Sequence, residues 1–168
     1  MTLEELNQLG DVAAYTVFES CCVSRKWIKK MILARPFINS FTLLNAADEY
    51  WAQMQGDDIL QAFEGHPRIG DISTLREKFA NTAAQAGHEQ SGMNLADGAL
   101  LQKIKQRNDE YYDKFGYIFI VCASGKSATE MLGILESRLP NDSETELKVA
   151  AAEQGKITRI RLEKVLGL

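Results

Sequence analysis

Of the chain's two histidines, one is pinned between a glycine and a proline, in the run Gly65-His66-Pro67-Arg68-Ile69-Gly70-Asp71. Imidazole is the side chain whose ordinary pKa lies nearest neutrality, which makes it the usual proton donor or acceptor in catalysis. Pro67 fixes its own φ and keeps His66 out of the helical region, while Gly65 and Gly70 let the chain turn and pass close to a ligand. Such a braced histidine is an acid–base candidate. A surface or capping histidine would carry the same local signature.

Three further groupings could carry chemistry. The run His88-Glu89-Gln90-Ser91-Gly92 sets an imidazole, a carboxylate, an amide and a hydroxyl just before a glycine. It reads either as a solvated helix end or as a site in which Glu89 moves or orients a proton and Gln90 offers a bidentate amide. On the last helix, Arg161 falls on the apolar stripe near Gln154 and Ile157, while Arg159 points away. An inward arginine would grip a carboxylate with its planar fork, provided Gly155 does not break the helical register. The main chain of Phe119, Ile120, Val121, Cys122 and Ala123 could read a heterocycle rich in amides, or could simply pack in the core.

Composition narrows the classes. A chain of 168 residues can bury one sizeable core, and a net charge of −4 leaves no electrostatic footprint for nucleic acid. No apolar run approaches a membrane span. The start Met1-Thr2-Leu3-Glu4-Glu5 lacks the basic and apolar regions of a signal peptide, and Val165-Leu166-Gly167-Leu168 is not a peroxisomal address. The expectation is a soluble, cytoplasmic protein that binds neither membrane nor nucleic acid. Three cysteines, Cys21, Cys22 and Cys122, have no ligand spacing and read as buried thiols. No dinucleotide fingerprint, phosphate loop or metal motif is present, so neither an organic cofactor nor a metal is expected.

The elements that must position these groups are helices. Thr2 with Glu5, Ser127 with Glu130, and Ser143 with Glu146 fit the capping box. Asp11 can cap a segment with Val12, Tyr15, Phe18 and Cys22 on one face. Ser24 precedes Trp27, Ile28, Met31 and Ile32, in a helix that must end before Pro36. Ser40 opens a helix with Phe41, Leu44, Ala47, Trp51 and Met54 inward until Gly56 stops it. Asp48 falls in that stripe and needs a partner or the rim. A short helix is expected over 58–63 and another after Ser73, with Leu75 and Phe79 inward. A long one over 95–112 carries Leu100, Leu101, Ile104, Asn108, Tyr111 and Tyr112, and Gly116 ends it. The last, over about 144–165, turns Leu147, Ala150, Ala151, Gln154, Ile157 and Val165 inward. Tyr117 to Ala123 is β-branched and aromatic, with no partner of similar character. It therefore reads as an extended, buried connector. The expected fold is all-α, a single-domain helical bundle over residues 1–168 with one short extended connector.

The ordered set of pieces resembles a known family. Phe18-Glu19-Ser20-Cys21-Cys22 with Ser24 and Trp27, then Arg35-Pro36-Phe37, His66-Pro67 with Ile69-Gly70, and Glu89-Gln90-Ser91-Gly92 come first. Phe115-Gly116 with Phe119-Ile120-Val121, Arg138-Leu139 with Asn141-Asp142, and Ile160-Arg161-Leu162 complete it. Over nearly its whole length the chain is similar to the 2-oxo-4-hydroxy-4-carboxy-5-ureidoimidazoline (OHCU) decarboxylases of uric acid breakdown. The resemblance implies an all-α, usually dimeric protein needing no metal or organic cofactor, which removes carbon dioxide from OHCU to give (S)-allantoin. It implies that His66 is catalytic, with Glu89 the acidic residue of the pocket and Gln90 its amide. It places substrate contacts at Pro67, at Ala86, Gly87 and His88 leading into Glu89, at Phe119 to Ala123, and at Arg161. Family members often carry serine where this chain has Ala86, so a hydroxyl contact is missing or supplied from elsewhere. A non-catalytic helical module that binds a ureide, and a cyclic-amide hydrolase using Glu89 with His66, are the alternative readings.

Overall fold

The computed structural model describes residues 1–67 and 93–168. The expected helix after Ser73, Gly70 of the histidine loop, and the run Ala86, Gly87, His88, Glu89 and Gln90 lie outside the described residues. Within them the protein is all helical, with eight helices and no strand. They are α1 (Leu3–Gln8), α2 (Asp11–Cys21), α3 (Arg25–Leu33), α4 (Ser40–Ala52), α5 (Gly56–Phe63), α6 (Met93–Phe115), α7 (Ala128–Arg138) and α8 (Ser143–Leu166). They fall into two compact units. The first holds residues 1–66, 120–122 and 150–168, and the second holds the rest of the described chain.

The first unit has an apolar core built from α1 to α5 and the second half of α8. Leu6, Phe18, Trp27, Ile28, Met31, Leu43, Ala47 and Leu162 are buried in it. Trp27 packs its ring edge-on to Phe18 at 6.0 Å and donates its indole N–H to the Ala47 carbonyl at 3.0 Å. Such a buried indole is satisfied at both its apolar body and its polar edge. Arg35, from the Arg35-Pro36-Phe37 run, serves the fold. Its guanidinium donates to the carbonyls of Leu6 and Leu9 beyond the end of α1 and to Asp11 at the start of α2. Asn7 meanwhile bonds both the N–H and the carbonyl of Phe37.

The second unit rests on a buried ion pair. Glu146 of α8 is fully buried, and its Oε1 accepts from Arg138 and from the Tyr111 hydroxyl, while Oε2 accepts from the Asn141 amide at 2.9 Å. The Arg138 guanidinium also lies 4.6 Å over the Phe119 ring. Burial, followed by the hydrogen bond to Glu146, drives the Tyr111 pKa far above the usual phenol range. Around this pair α6 packs on α7 through Leu101, Ile104 and Leu132.

Several local expectations hold. The Thr2–Glu5 and Ser127–Glu130 capping boxes form, α3 ends before Pro36, and Gly116 terminates α6 at φ 78°. The connector expected over Tyr117 to Ala123 takes no regular structure, and Ile120 and Cys122 are buried. Asp48 has its partner, Arg159 Nη1 at 2.6 Å.

Others are corrected. Gly10, not Asp11, caps α2, and Val12 in its first turn is 85% exposed. Ser40 opens α4 as expected, behind a reciprocal cap of Asn39 with Thr42, but Phe41 in its first turn is 66% exposed. Gly56 opens α5 instead of stopping α4. Tyr112 is exposed while Tyr111 is buried. The Ser143–Glu146 box does not form: Asp142 caps α8 through Thr145, which releases Glu146 to the ion pair. Gly155 does not break α8. A side chain there would meet Trp51 at 3.1 Å, and Trp51 donates its indole N–H to the Ala151 carbonyl at 2.8 Å.

Removing one member of a buried pair leaves an uncompensated charge. Arg138→Met is therefore expected to lower stability by about 3–5 kcal/mol in urea unfolding. The double variant with Glu146→Met is expected to lose much less than the sum of the two single changes; additive losses would show that the two side chains do not depend on each other.

Candidate functional site

The described part of the site is built on α8. Its residues from 153 to 161 gather three pieces of the first unit: the turn after α5, the connector, and the end of α2.

The turn comes first. Gln61 of α5 accepts the Arg25 N–H at the start of α3, and Asp58 pairs with Lys26 at 2.9 Å, so α5 is held against α3. After Phe63 the helix tightens. The N–H groups of Glu64, Gly65 and His66 donate to the carbonyls of Gln61, Ala62 and Phe63, a 3₁₀-like winding common at helix ends. Pro67 prevents further helix, and His66 is released half-buried. Space is tight at Gly65: a Cβ there would sit 2.8 Å from a Val23 methyl.

His66 Nε2 then meets Gln154 Oε1 at 2.5 Å. Gln154 is fully buried, and its Nε2 donates to Thr158 Oγ1 at 3.1 Å. Thr158 is also buried, as is Cys22 at the end of α2. Burial pushes the Cys22 thiol up to about 11, against the opposing pull of the Ser24 main chain, the Thr158 hydroxyl and the Arg161 charge. Burial also raises the neighbouring Cys21. Neither is an activated nucleophile.

The connector is fastened next to this row. The Cys122 N–H donates to Glu153 Oε2 at 2.8 Å. This main-chain donor is thus engaged by the protein. Phe119 and Ala123 belong to the second unit, Ile120 to Cys122 to the first.

Arg161 lies seven residues beyond Gln154, about two turns or about 10 Å along nearly the same face. It is half-buried, and Nη1 donates to the Cys21 carbonyl at 3.2 Å. Among the described residues this is the one hydrogen bond of a group with five N–H donors. A fork so anchored can still take an anionic oxygen. Arg159, by contrast, is spent on Asp48 and Glu163.

The structure therefore brings together His66, Cys122 and Arg161, all along α8. Pro67 is exposed. Ala86, Gly87, His88, Glu89 and Gln90 lie outside the described residues. Sequence reasoning missed Glu153, Thr158 and Cys22 as members of this cluster. The available signal was Gln154: an amide on an apolar stripe must find partners inside. No group of three or more His, Cys, Asp or Glu side chains among the described residues could hold a metal ion.

Two measurements check this geometry. Gly65→Ala forces Val23 or the turn to move, with an expected cost of about 1–3 kcal/mol for overpacking and a displaced His66; an unchanged urea midpoint would contradict the close approach. Cys22 binds its proton more tightly folded than unfolded, so the unfolded state releases it first as pH rises. Stability from this group is complete below about pH 9 and declines towards about pH 11, by about 2–3 kcal/mol. Cys22→Ala is expected to flatten the urea-midpoint profile over that window.

The chain was then compared with known proteins. A family profile described as OHCU decarboxylase matches residues 7–163. The uric acid degradation bifunctional protein TTL of Arabidopsis thaliana is 34% identical over 86% of this chain and 45% of its own length. The 2-oxo-4-hydroxy-4-carboxy-5-ureidoimidazoline decarboxylase of Amia calva is 29% identical over 79% of this chain and 75% of its own. The chain spans between a third and a half of the length of the bifunctional relatives it matches. A crystal structure of OHCU decarboxylase in the presence of (S)-allantoin is 32% identical and superposes with a TM-score of 0.70, covering 90% of this chain and 97% of that one. With its helices, its histidine turn and its arginine-bearing last helix in that order, the chain belongs to the OHCU decarboxylase family.

Proposed function

We propose that the protein acts as one domain that decarboxylates OHCU to (S)-allantoin in uric acid degradation, a carboxy-lyase working without metal or organic cofactor. The observation that carries the reading is the half-buried His66, held through Nε2 on the same face of α8 that presents Arg161. Family membership supplies the reaction class.

The chemistry suits such a site. Loss of carbon dioxide leaves an electron pair on the ring carbon that bore the carboxylate. The pair forms a new ring C=C bond as the adjacent C=N bond shifts its own pair to nitrogen, which takes up a proton. The resulting enol gives up its hydroxyl proton as the ureido-bearing carbon gains one, so the substrate supplies its own electron sink. The protein must hold the carboxylate out of the ring plane, stabilise the developing charge and deliver a proton to one face. In this proposal His66 delivers that proton, or first helps to deprotonate the substrate hydroxyl, and Arg161 contacts an anionic or carbonyl oxygen. Glu89 orients His66 or a ureido N–H, Gln90 and the main chain of Phe119 to Ala123 fix the ring, and Pro67 with Ala86, Gly87 and His88 completes the contacts. A cytoplasmic homodimer, expected from the sequence and from the family resemblance, belongs to the same proposal; light scattering of the purified protein tests the dimer.

Freshly generated OHCU decays by itself to racemic allantoin, so both carbon dioxide and the handedness of the product must be followed. Metal-free protein is expected to give (S)-allantoin by circular dichroism with matching carbon dioxide release. His66→Asn is expected to lower turnover about 10²–10⁴-fold, the range for loss of a positioned acid–base group, with an unchanged far-ultraviolet spectrum. Near-normal turnover in that variant would remove His66 from the chemistry. Binding of product without carbon dioxide release would favour a ureide-binding module.

A further inference from the structure

Nothing in the reaction calls for Gln154, yet its amide oxygen lies 2.5 Å from Nε2 of the proposed acid–base histidine. We infer that Gln154 is a positioning residue that fixes the tautomer and orientation of His66, an inference that rests on the catalytic reading of that histidine.

The polarity of the contacts follows from donor chemistry. An amide oxygen only accepts, so the His66–Gln154 contact at 2.5 Å requires the proton on Nε2. Gln154 Nε2 donates at the same time to Thr158 Oγ1 at 3.1 Å. The two links run one way, from imidazole N–H to amide oxygen and from amide N–H to hydroxyl.

The members are also held rigidly. Gln154 and Thr158 lie one turn apart on α8 and are both buried, and Cys22 is buried at the end of α2. An amide acceptor fixes which ring nitrogen bears hydrogen without adding a negative charge beside the ring.

Nitrogen-15 spectra of the imidazole rings test the inference, with His66 assigned by the signals lost in His66→Asn and the pH set where the ring is neutral. The wild-type ring is expected to show a protonated Nε2 and a pyridine-like Nδ1. In Gln154→Leu those signals are expected to move towards tautomer-averaged values, and kcat towards OHCU to fall about ten- to a hundredfold, as for a misplaced catalytic group, with KM little changed. Thr158→Val leaves Gln154 in place but frees its amide, and is expected to give the same changes in smaller degree; it serves as the second test should Gln154→Leu fail to fold. An unchanged His66 tautomer together with unchanged turnover in either folded variant overturns the inference. Absence of decarboxylation by the wild type overturns the functional reading instead, and the ring spectra still decide whether Gln154 sets the tautomer.

Discussion

The constraint on which most of this molecule depends is a buried polar row on its last helix. Glu146, Ala150, Gln154, Thr158 and Leu162 repeat every four residues along α8, and all five are buried. Three of them carry groups that cost several kcal/mol to bury without partners. Each therefore dictates what must come to it. Glu146 draws Arg138, Tyr111 and Asn141; Gln154 draws His66, and Thr158 takes the Gln154 amide N–H. An apolar row of the same shape would bury as much surface and would specify none of these arrivals.

The same logic accounts for the connector. Its residues carry the aromatic and β-branched side chains of a strand, but with no neighbouring strand its main-chain groups need other partners. Glu153 takes the Cys122 N–H within the first unit. In the second unit the Arg138 guanidinium lies over the Phe119 ring, close enough for a cation–π contact. An irregular segment held at defined points by a carboxylate and a guanidinium keeps a defined path without being regular structure.

Much of this was legible in the residues. Capping boxes at Thr2 and Ser127, the end of α3 before Pro36, and the isolated connector follow from local rules that tertiary packing did not override. Phe41 and Val12 read inward with the stripes of their helices, but both stand in a first turn, and only the later members, Phe18 and Cys22 in one and Leu44, Ala47 and Met54 in the other, are buried. Glu146 looked like a capping partner because Ser143 stands three residues before it; the nearby Asp142 took that role, and only the positions of Arg138 and Tyr111 reveal what Glu146 does. Within the site, His66 and Arg161 could be picked out by type and phase, and Gln154 was already placed inward. Its link to His66 could not be read, since it joins α8 to the distant turn after α5.

Among the described residues, an amide faces His66. A carboxylate in the place of Gln154 would favour the imidazolium, whereas the amide does not bias the charge of the ring. The neutral amide supplies direction without charge, and its own N–H is taken by Thr158. The cost is a polar side chain in the core of the first unit, and that cost is offset only because each of its hydrogen-bonding groups has found a partner.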